Sequence, residues 1–176
     1  MQINNNWYVI TGAPSSGKTT VIRLLEEKGY DVVYELARIY IDEEMAKGRI
    51  LEQIRANELL FQEKILKFKI AYEKKLSGKK TIFFDRGIPD SDAYYQLQGF
   101  GEDDFLKKAL AASSYKKAFL FEMIGYEKDY ARIESKEQQE QLQKLLKNSY
   151  EKLDIPVLVV PKMPVQERLD FVLNNL

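Results

Sequence analysis

The sequence contains no cysteine and no histidine in its 176 residues. The first absence excludes disulfides, thiol nucleophiles and thiolate metal sites. The second excludes a Ser-His-Asp triad, and the two together exclude any Cys/His zinc site. Acid–base chemistry near neutral pH is left to carboxylates, lysine, tyrosine or water, and any metal must be held by oxygen, which favours magnesium. Net charge is missing too: 27 basic residues balance 27 acidic ones, so no global field draws the chain to nucleic acid or to an anionic membrane. No apolar run approaches bilayer-spanning length. The opening residues, Met1 to Asn6, carry neither the basic region nor the apolar segment of a signal peptide, and Gln2 is incompatible with myristoylation. These absences place the expected site of action in the cytoplasm, with no membrane partner.

What remains is an ordinary globular composition, 45% hydrophobic and 31% charged, long enough for one domain over residues 1–176 with a substantial core. Its most specific stretch is Gly12-Ala13-Pro14-Ser15-Ser16-Gly17-Lys18-Thr19, the GxxxxGKT pattern of a phosphate-binding loop. The apolar run Trp7 to Thr11 precedes it and the amphipathic stretch from Thr19 and Thr20 to Glu27 follows, which is the strand–loop–helix setting the motif needs. In that setting the loop amides and the helix dipole cradle the phosphates of a nucleotide, for which ATP is the expectation. Gly12 and Gly17 allow close main-chain approach, Lys18 reaches the β/γ oxygens, and the Thr19 hydroxyl goes to Mg²⁺.

The remaining chain alternates strand and helix. Strands are expected at 30–34, 81–84, 118–121 and 156–160, short apolar runs suited to a parallel sheet buried on both faces. Helices are expected at 36–47, 52–76, 90–97, 102–112, 136–152 and 165–173, with Ser135 as an N-cap and glycines 29 and 48 as stops. On the long helix 52–76, residues Phe61, Ile65, Phe68, Tyr72 and Leu76 form one apolar face. Lys64, Lys67, Lys69, Glu73, Lys74 and Lys75 are read as a solvated face rather than a nucleic-acid contact. The pattern predicts a three-layer α/β sandwich around a five-stranded parallel sheet, whose right-handed crossovers bring all strand C-termini to one edge.

That edge collects the P-loop, Glu35, Asp85, Glu122 and Pro161. Asp85 ends an apolar strand and suits a magnesium-binding or acceptor-binding aspartate, or the cap of the turn that follows. Glu35 and Arg38, one helical turn apart, suit a proton acceptor and its neighbour, or a surface ion pair. Arg132, in the polar loop 125–135, is placed to close over phosphates as part of a lid. Arg168 is expected either near the nucleotide base or exposed on the last helix. Tyr94 and Tyr95 suit a planar substrate wall or a core.

With these residues in order, the chain resembles the P-loop nucleoside and nucleotide kinases. Glu35-Leu36-Ala37-Arg38 is similar to the corresponding segment of the ribosylnicotinamide kinase domain of bacterial NAD regulators. Asp85-Arg86-Gly87 is similar to thymidylate and deoxynucleoside kinases. The whole looks like small bacterial AAA-domain ATPases related to that domain. The resemblance implies strand order 2-3-1-4-5, Glu35 as catalytic base, and Asp85 and Arg86 as the pair that handles magnesium and acceptor. It also implies Arg132 as a lid arginine and 36–77 as acceptor-side helices. No Asn-Lys-x-Asp guanine motif is present, which argues against a GTPase. The function implied is Mg·ATP-dependent transfer of the γ-phosphate to a small nucleoside- or nucleotide-like acceptor by a monomer or homodimer. A regulatory ATP-binding module without a small acceptor is the alternative.

Overall fold

The structure, a computed structural model, describes residues 5–126, 130, 131 and 133–176. Five strands form one sheet: β1 (Trp7–Thr11), β2 (Asp31–Val33), β3 (Ile82–Asp85), β4 (Lys117–Phe121) and β5 (Val157–Val160). Their order is β2-β3-β1-β4-β5 and all pairings are parallel. Among the described residues the helices are α1 (Lys18–Glu27), α2 (Leu36–Ala46), α3 (Leu51–Ile54), α4 (Glu58–Glu73), α5 (Ile88–Leu97), α6 (Asp104–Ala112), α7 (Lys136–Glu151) and α8 (Val165–Leu173).

The central strand shows why the sheet lies inside. Tyr8 and Ile10 pack with Val21, Ile22, Leu25, Leu169 and Val172 of α1 and α8. Their neighbours Trp7 and Val9 pack on the other side with Phe84, Tyr115 and Tyr150. Successive residues point to opposite faces, so a strand covered on both faces must be apolar throughout. The register pairs Ile10 with Asp85 and Thr11 with Leu120, which levels the ends of β1, β3 and β4. Because the chain leaves β1 for β2 on one side and leaves β4 for β5 on the other, the crevice opens beside β1, where ligands of such sheets bind.

The helix expected at 52–76 is two helices. It breaks at Arg55 to Asn57, where the Asn57 side chain accepts from the Leu60 amide at 3.0 Å and caps α4. Arg55 folds back onto Glu58 and over the Phe61 ring, 4.8 Å from its centroid. The expected faces of this helix also need correction. Phe61 and Ile65 are buried against Tyr40 and Ile41 of α2, whereas Phe68 and Tyr72 are 39% and 42% exposed. A second stripe, Gln62, Leu66, Lys69 and Glu73, turns toward α5: Leu66 packs with Ile88 and Tyr95, and Lys69 is buried rather than solvated. Helix α5 begins at Ile88, so the turn after β3 is shorter than the sequence suggested. Proline at the first turn of a helix costs no hydrogen bond, and Pro89 sits there.

Candidate active site

Two carbonyls of the P-loop are tied to the scaffold around it. Ser15 O accepts from Ile124 N at 3.0 Å, and Ser16 O accepts from the Arg168 guanidinium. Ser15 has φ 62° and Gly17 φ 77°; such left-handed residues generate the anion-binding nest of successive N–H groups. Gly12 has φ 143°, and a Cβ there would lie 2.6 Å from Phe121 O, so β4 presses directly on the loop. The Lys18 ammonium lies inside, donating to Gly12 O at 2.9 Å, Ala13 O at 3.1 Å and Ser16 Oγ at 3.1 Å. A groove of about 320 Å³ runs along Ser15, Ser16, Gly17, Lys18, Thr19 and Thr20, with Glu35 and Ile124 on its walls.

Two residues that sequence reasoning did not single out, or placed elsewhere, fix this loop. Gln143 of α7 accepts from Ala13 N at 2.8 Å and donates to Phe121 O at 2.9 Å. Arg168 is buried, not exposed on the last helix. Its guanidinium donates to Pro161 O at 3.0 Å, to Glu122 O at 3.0 Å and to Ser16 O, and burial lowers its pKa from the usual arginine value. Nothing in the sequence marks Gln143; it is one of several glutamines on a charged helix.

Beside the loop, Asp85 is 3% exposed and its Oδ1 has no hydrogen-bond partner among the described residues. Burial, with the Glu35 carboxylate nearby, pushes its pKa up to about 6, while Lys18 and Arg86 oppose the shift. An orphaned buried carboxylate oxygen fits a magnesium site, at which the Thr19 hydroxyl would be a second protein ligand.

The next residue, Arg86, has φ 70°, a conformation that persists only where the surroundings over-determine it. Its amide donates to Ile10 O at 3.1 Å. Its guanidinium meets Glu35 Oε1 at 3.3 Å and Asp90 Oδ1 at 3.0 Å and lies 5.4 Å from the Tyr94 ring centre. Asp90 is fully buried and also accepts from Thr11 Oγ1 at 2.7 Å, Gly87 N at 3.0 Å and the Tyr150 hydroxyl. Arg86 and Lys69 hold its carboxyl below the usual range against the cost of burial. From α4, Lys69 donates to Gly87 O at 2.8 Å, and Glu73 accepts from the Tyr115 hydroxyl, which itself accepts from Ile88 N at 2.9 Å. The turn after Asp85 is thus gripped from β1, α4, α5 and α7.

A second cavity of about 50 Å³ adjoins the groove, walled by Arg38, Arg55, Arg86, Phe61, Gln62 and Tyr94 among others. Glu35 lines both the groove and this cavity. Tyr94 therefore lines a cavity while Tyr95 is core. Arg38 lies 5.4 Å from the Tyr130 ring centre. The expectation placed on Arg132 falls outside the described residues.

The comparisons agree with this geometry. A sequence model described as an AAA domain matches residues 7–168. A search among curated proteins finds no significant match. Among solved structures, the chain is similar to deoxyadenosine kinase from M. mycoides with a TM-score of 0.67 at 15% identity, over 96% of this chain and 97% of that one. Thymidylate kinase from Ehrlichia chaffeensis gives 0.66 at 17% identity, over 96% of both chains. NadR in complex with NR gives 0.71 at 16% identity, over 97% of this chain and 50% of that one. These likenesses establish a P-loop nucleotide-kinase fold.

Proposed function

The chain belongs to the AAA-domain family, and on that premise we propose that it is a Mg·ATP-dependent phosphotransferase acting on a small nucleoside- or nucleotide-like acceptor. The observation that carries the proposal is Glu35, the side chain shared by the P-loop groove and the cation-walled cavity. A carboxylate at the junction of two sites suits transfer between them. The named acceptors of the similar structures, deoxyadenosine and thymidylate, support the class.

In this reading the loop amides, Lys18 and Thr19 hold the triphosphate. Asp85 and Thr19 would hold magnesium, which would supply neutralisation of the charge developing on the transferred phosphoryl group. Glu35, Arg38 and Arg86 orient the acceptor, which supplies most of the catalysis in phosphoryl transfer. The acceptor oxygen bonds to the γ-phosphorus as the bond to the β,γ-bridging oxygen breaks, and ADP leaves with that electron pair. If the acceptor is a hydroxyl, its proton passes to Glu35 or Asp85.

The test is ADP release with a panel of nucleosides and nucleoside monophosphates. At least one should raise the rate well above basal hydrolysis. Lys18→Ala should abolish that rate with the fold retained, and, where the stimulating acceptor is a nucleoside hydroxyl, Glu35→Gln should lower it at least about 100-fold with ATP binding intact. Tight ATP binding with no acceptor effect would instead identify a regulatory nucleotide-binding module.

A further inference from the structure

Lys69 is the unusual charge of this molecule. It is 7% exposed, and its ammonium donates to two neutral acceptors, Gly87 O at 2.8 Å and Ser91 Oγ at 3.2 Å. Among the described residues it takes part in no ion pair. An ammonium has three donors, so two bonds leave one over. If tying α4 to α5 were the whole task, an amide would do it without burying a charge, which is costly unless the charge is compensated. Burial lowers the pKa of Lys69, with Arg86 adding to the effect, whereas Asp90, Glu35 and Glu73 work to keep it protonated.

Its position supplies the reason. Lys69 lines the cavity together with Arg38, Arg55 and Arg86, and the carboxylates on that wall are Glu35 and Glu134. Asp90 and Glu58, which pair with Arg86 and Arg55, stand behind the wall and do not line it. The wall carries four cations and two carboxylates, Glu35 beside Arg86 and Glu134 beside Arg55, and this excess of positive charge is the balance expected of an anion-binding surface. The cavity of about 50 Å³ has room for a few waters or one compact polar group.

We propose that Lys69 is an anion-recognition residue of the acceptor pocket, and that the acceptor is a phosphate monoester of the nucleoside monophosphate class. This rests on the phosphotransferase reading. The acceptor phosphate lies between Lys69, Arg86 and Arg38, and one of its oxygens is the nucleophile. That oxygen forms the bond to the γ-phosphorus, the bond to the β,γ-bridging oxygen breaks, and ADP leaves with the electron pair. A monoester dianion has no proton to give up, so Glu35 serves to hold Arg86 rather than to act as a base.

The experiment is calorimetric titration of the full chain with AMP, CMP, GMP and TMP and with the matching nucleosides. It is run with and without a saturating non-hydrolysable ATP analogue in the P-loop. At least one monophosphate should bind at least tenfold more tightly than its nucleoside. Lys69→Met should weaken that monophosphate roughly ten- to hundredfold, as loss of a hydrogen bond to a charged group does, and leave the nucleoside and the analogue within about twofold. Lys69→Arg should retain most of the preference. The wild-type comparison requires no variant to fold. The proposal is overturned if no monophosphate binds saturably, if the nucleoside binds equally well, or if Lys69→Met binds the monophosphate as wild type does. Failure of the phosphotransferase reading has a different signature: monophosphate binding persists while no acceptor stimulates ADP release.

Discussion

Replacing Asp90 by asparagine changes one atom at the centre of the buried network and should cost more stability than any other isosteric change in the protein. Asp90 Oδ1 accepts from Thr11 Oγ1 at 2.7 Å and Arg86 Nη1 at 3.0 Å. Oδ2 accepts from Gly87 N at 3.0 Å and from the Tyr150 hydroxyl. Asparagine has one acceptor oxygen and one NH₂. If the NH₂ replaces Oδ1 it meets the Arg86 N–H, and if it replaces Oδ2 it meets the Gly87 N–H. The hydroxyls of Thr11 and Tyr150 can turn to accept; a guanidinium and a backbone amide cannot. Either rotamer therefore sets donor against donor. The substitution also removes a buried negative charge beside Arg86 and Lys69.

Breaking a buried pair costs about 3–5 kcal/mol, and the surviving Glu35 contact to Arg86 at 3.3 Å argues for the lower end. A loss of about 3 kcal/mol corresponds to roughly 6–12 °C in melting temperature for a chain of this size. Tyr150→Phe and Thr11→Val, which delete single bonds, should each cost only about 1 kcal/mol. Denaturant unfolding of the three variants checks the ranking. An Asp90→Asn loss no greater than that of Tyr150→Phe would refute the claim that charge at this position matters. The low pKa of Asp90 fixes the sign with pH: its contribution is complete above the normal carboxylate range and is lost as pH falls through the depressed folded value.

Gly12→Ala should destabilise by about 1–3 kcal/mol and abolish ATP binding in a filter assay, because the added Cβ falls 2.6 Å from Phe121 O at φ 143°; unchanged ATP affinity would contradict the close packing. Arg168→Met should weaken ATP at least about tenfold, as expected when charged donors to backbone carbonyls are lost, yet leave the ratio of ATP to GTP affinity unchanged. A shifted ratio would show that Arg168 reads the base after all. Glu73 has its pKa pushed up to about 7 by burial, with Tyr115 and Lys69 opposing. Its protonated form is therefore favoured by the fold, and wild type should lose stability relative to Glu73→Gln as pH rises from about 4.3 to 7. Melting temperatures at pH 5 and pH 8 test this, and a gap that stays constant or reverses would refute it.

The parts of this protein legible in its sequence are those where local chemistry admits one solution. A loop that bares its amides to phosphate needs glycine at positions 12 and 17 and a lysine after the second, and a strand buried on both faces cannot be other than apolar. The common edge for Glu35 and Asp85 follows from those elements by topology, whereas the strand order was legible only through the resemblance to P-loop kinases. What stayed hidden depends on partners far along the chain. Arg168 is a helix arginine until Ser16, 152 positions earlier, is brought beneath it. The break before Asn57 is a capping choice inside a continuous helical period.

Lys69 shows the mechanism of the failure. Gln62, Leu66, Lys69 and Glu73 recur at spacings of four, three and four, the same period that marks Phe61 and Ile65 as buried. A reading that equates polar with exposed assigns the stripe to solvent because only one of its members is apolar. Burial of such a stripe is possible only if each polar group finds a partner. Those partners are Glu58 for Gln62, Gly87 O and Ser91 for Lys69, and Tyr115 for Glu73. None of these pairings is visible until β3 and α5 are laid beside α4. A polar stripe at helical period, on a helix that already has one apolar face, therefore marks a place where two layers meet through hydrogen bonds. In this chain that place is one wall of the cavity beside the P-loop groove, to which Gln62 and Lys69 contribute. The residues hardest to read from the sequence are thus those best placed to decide what the cavity accepts.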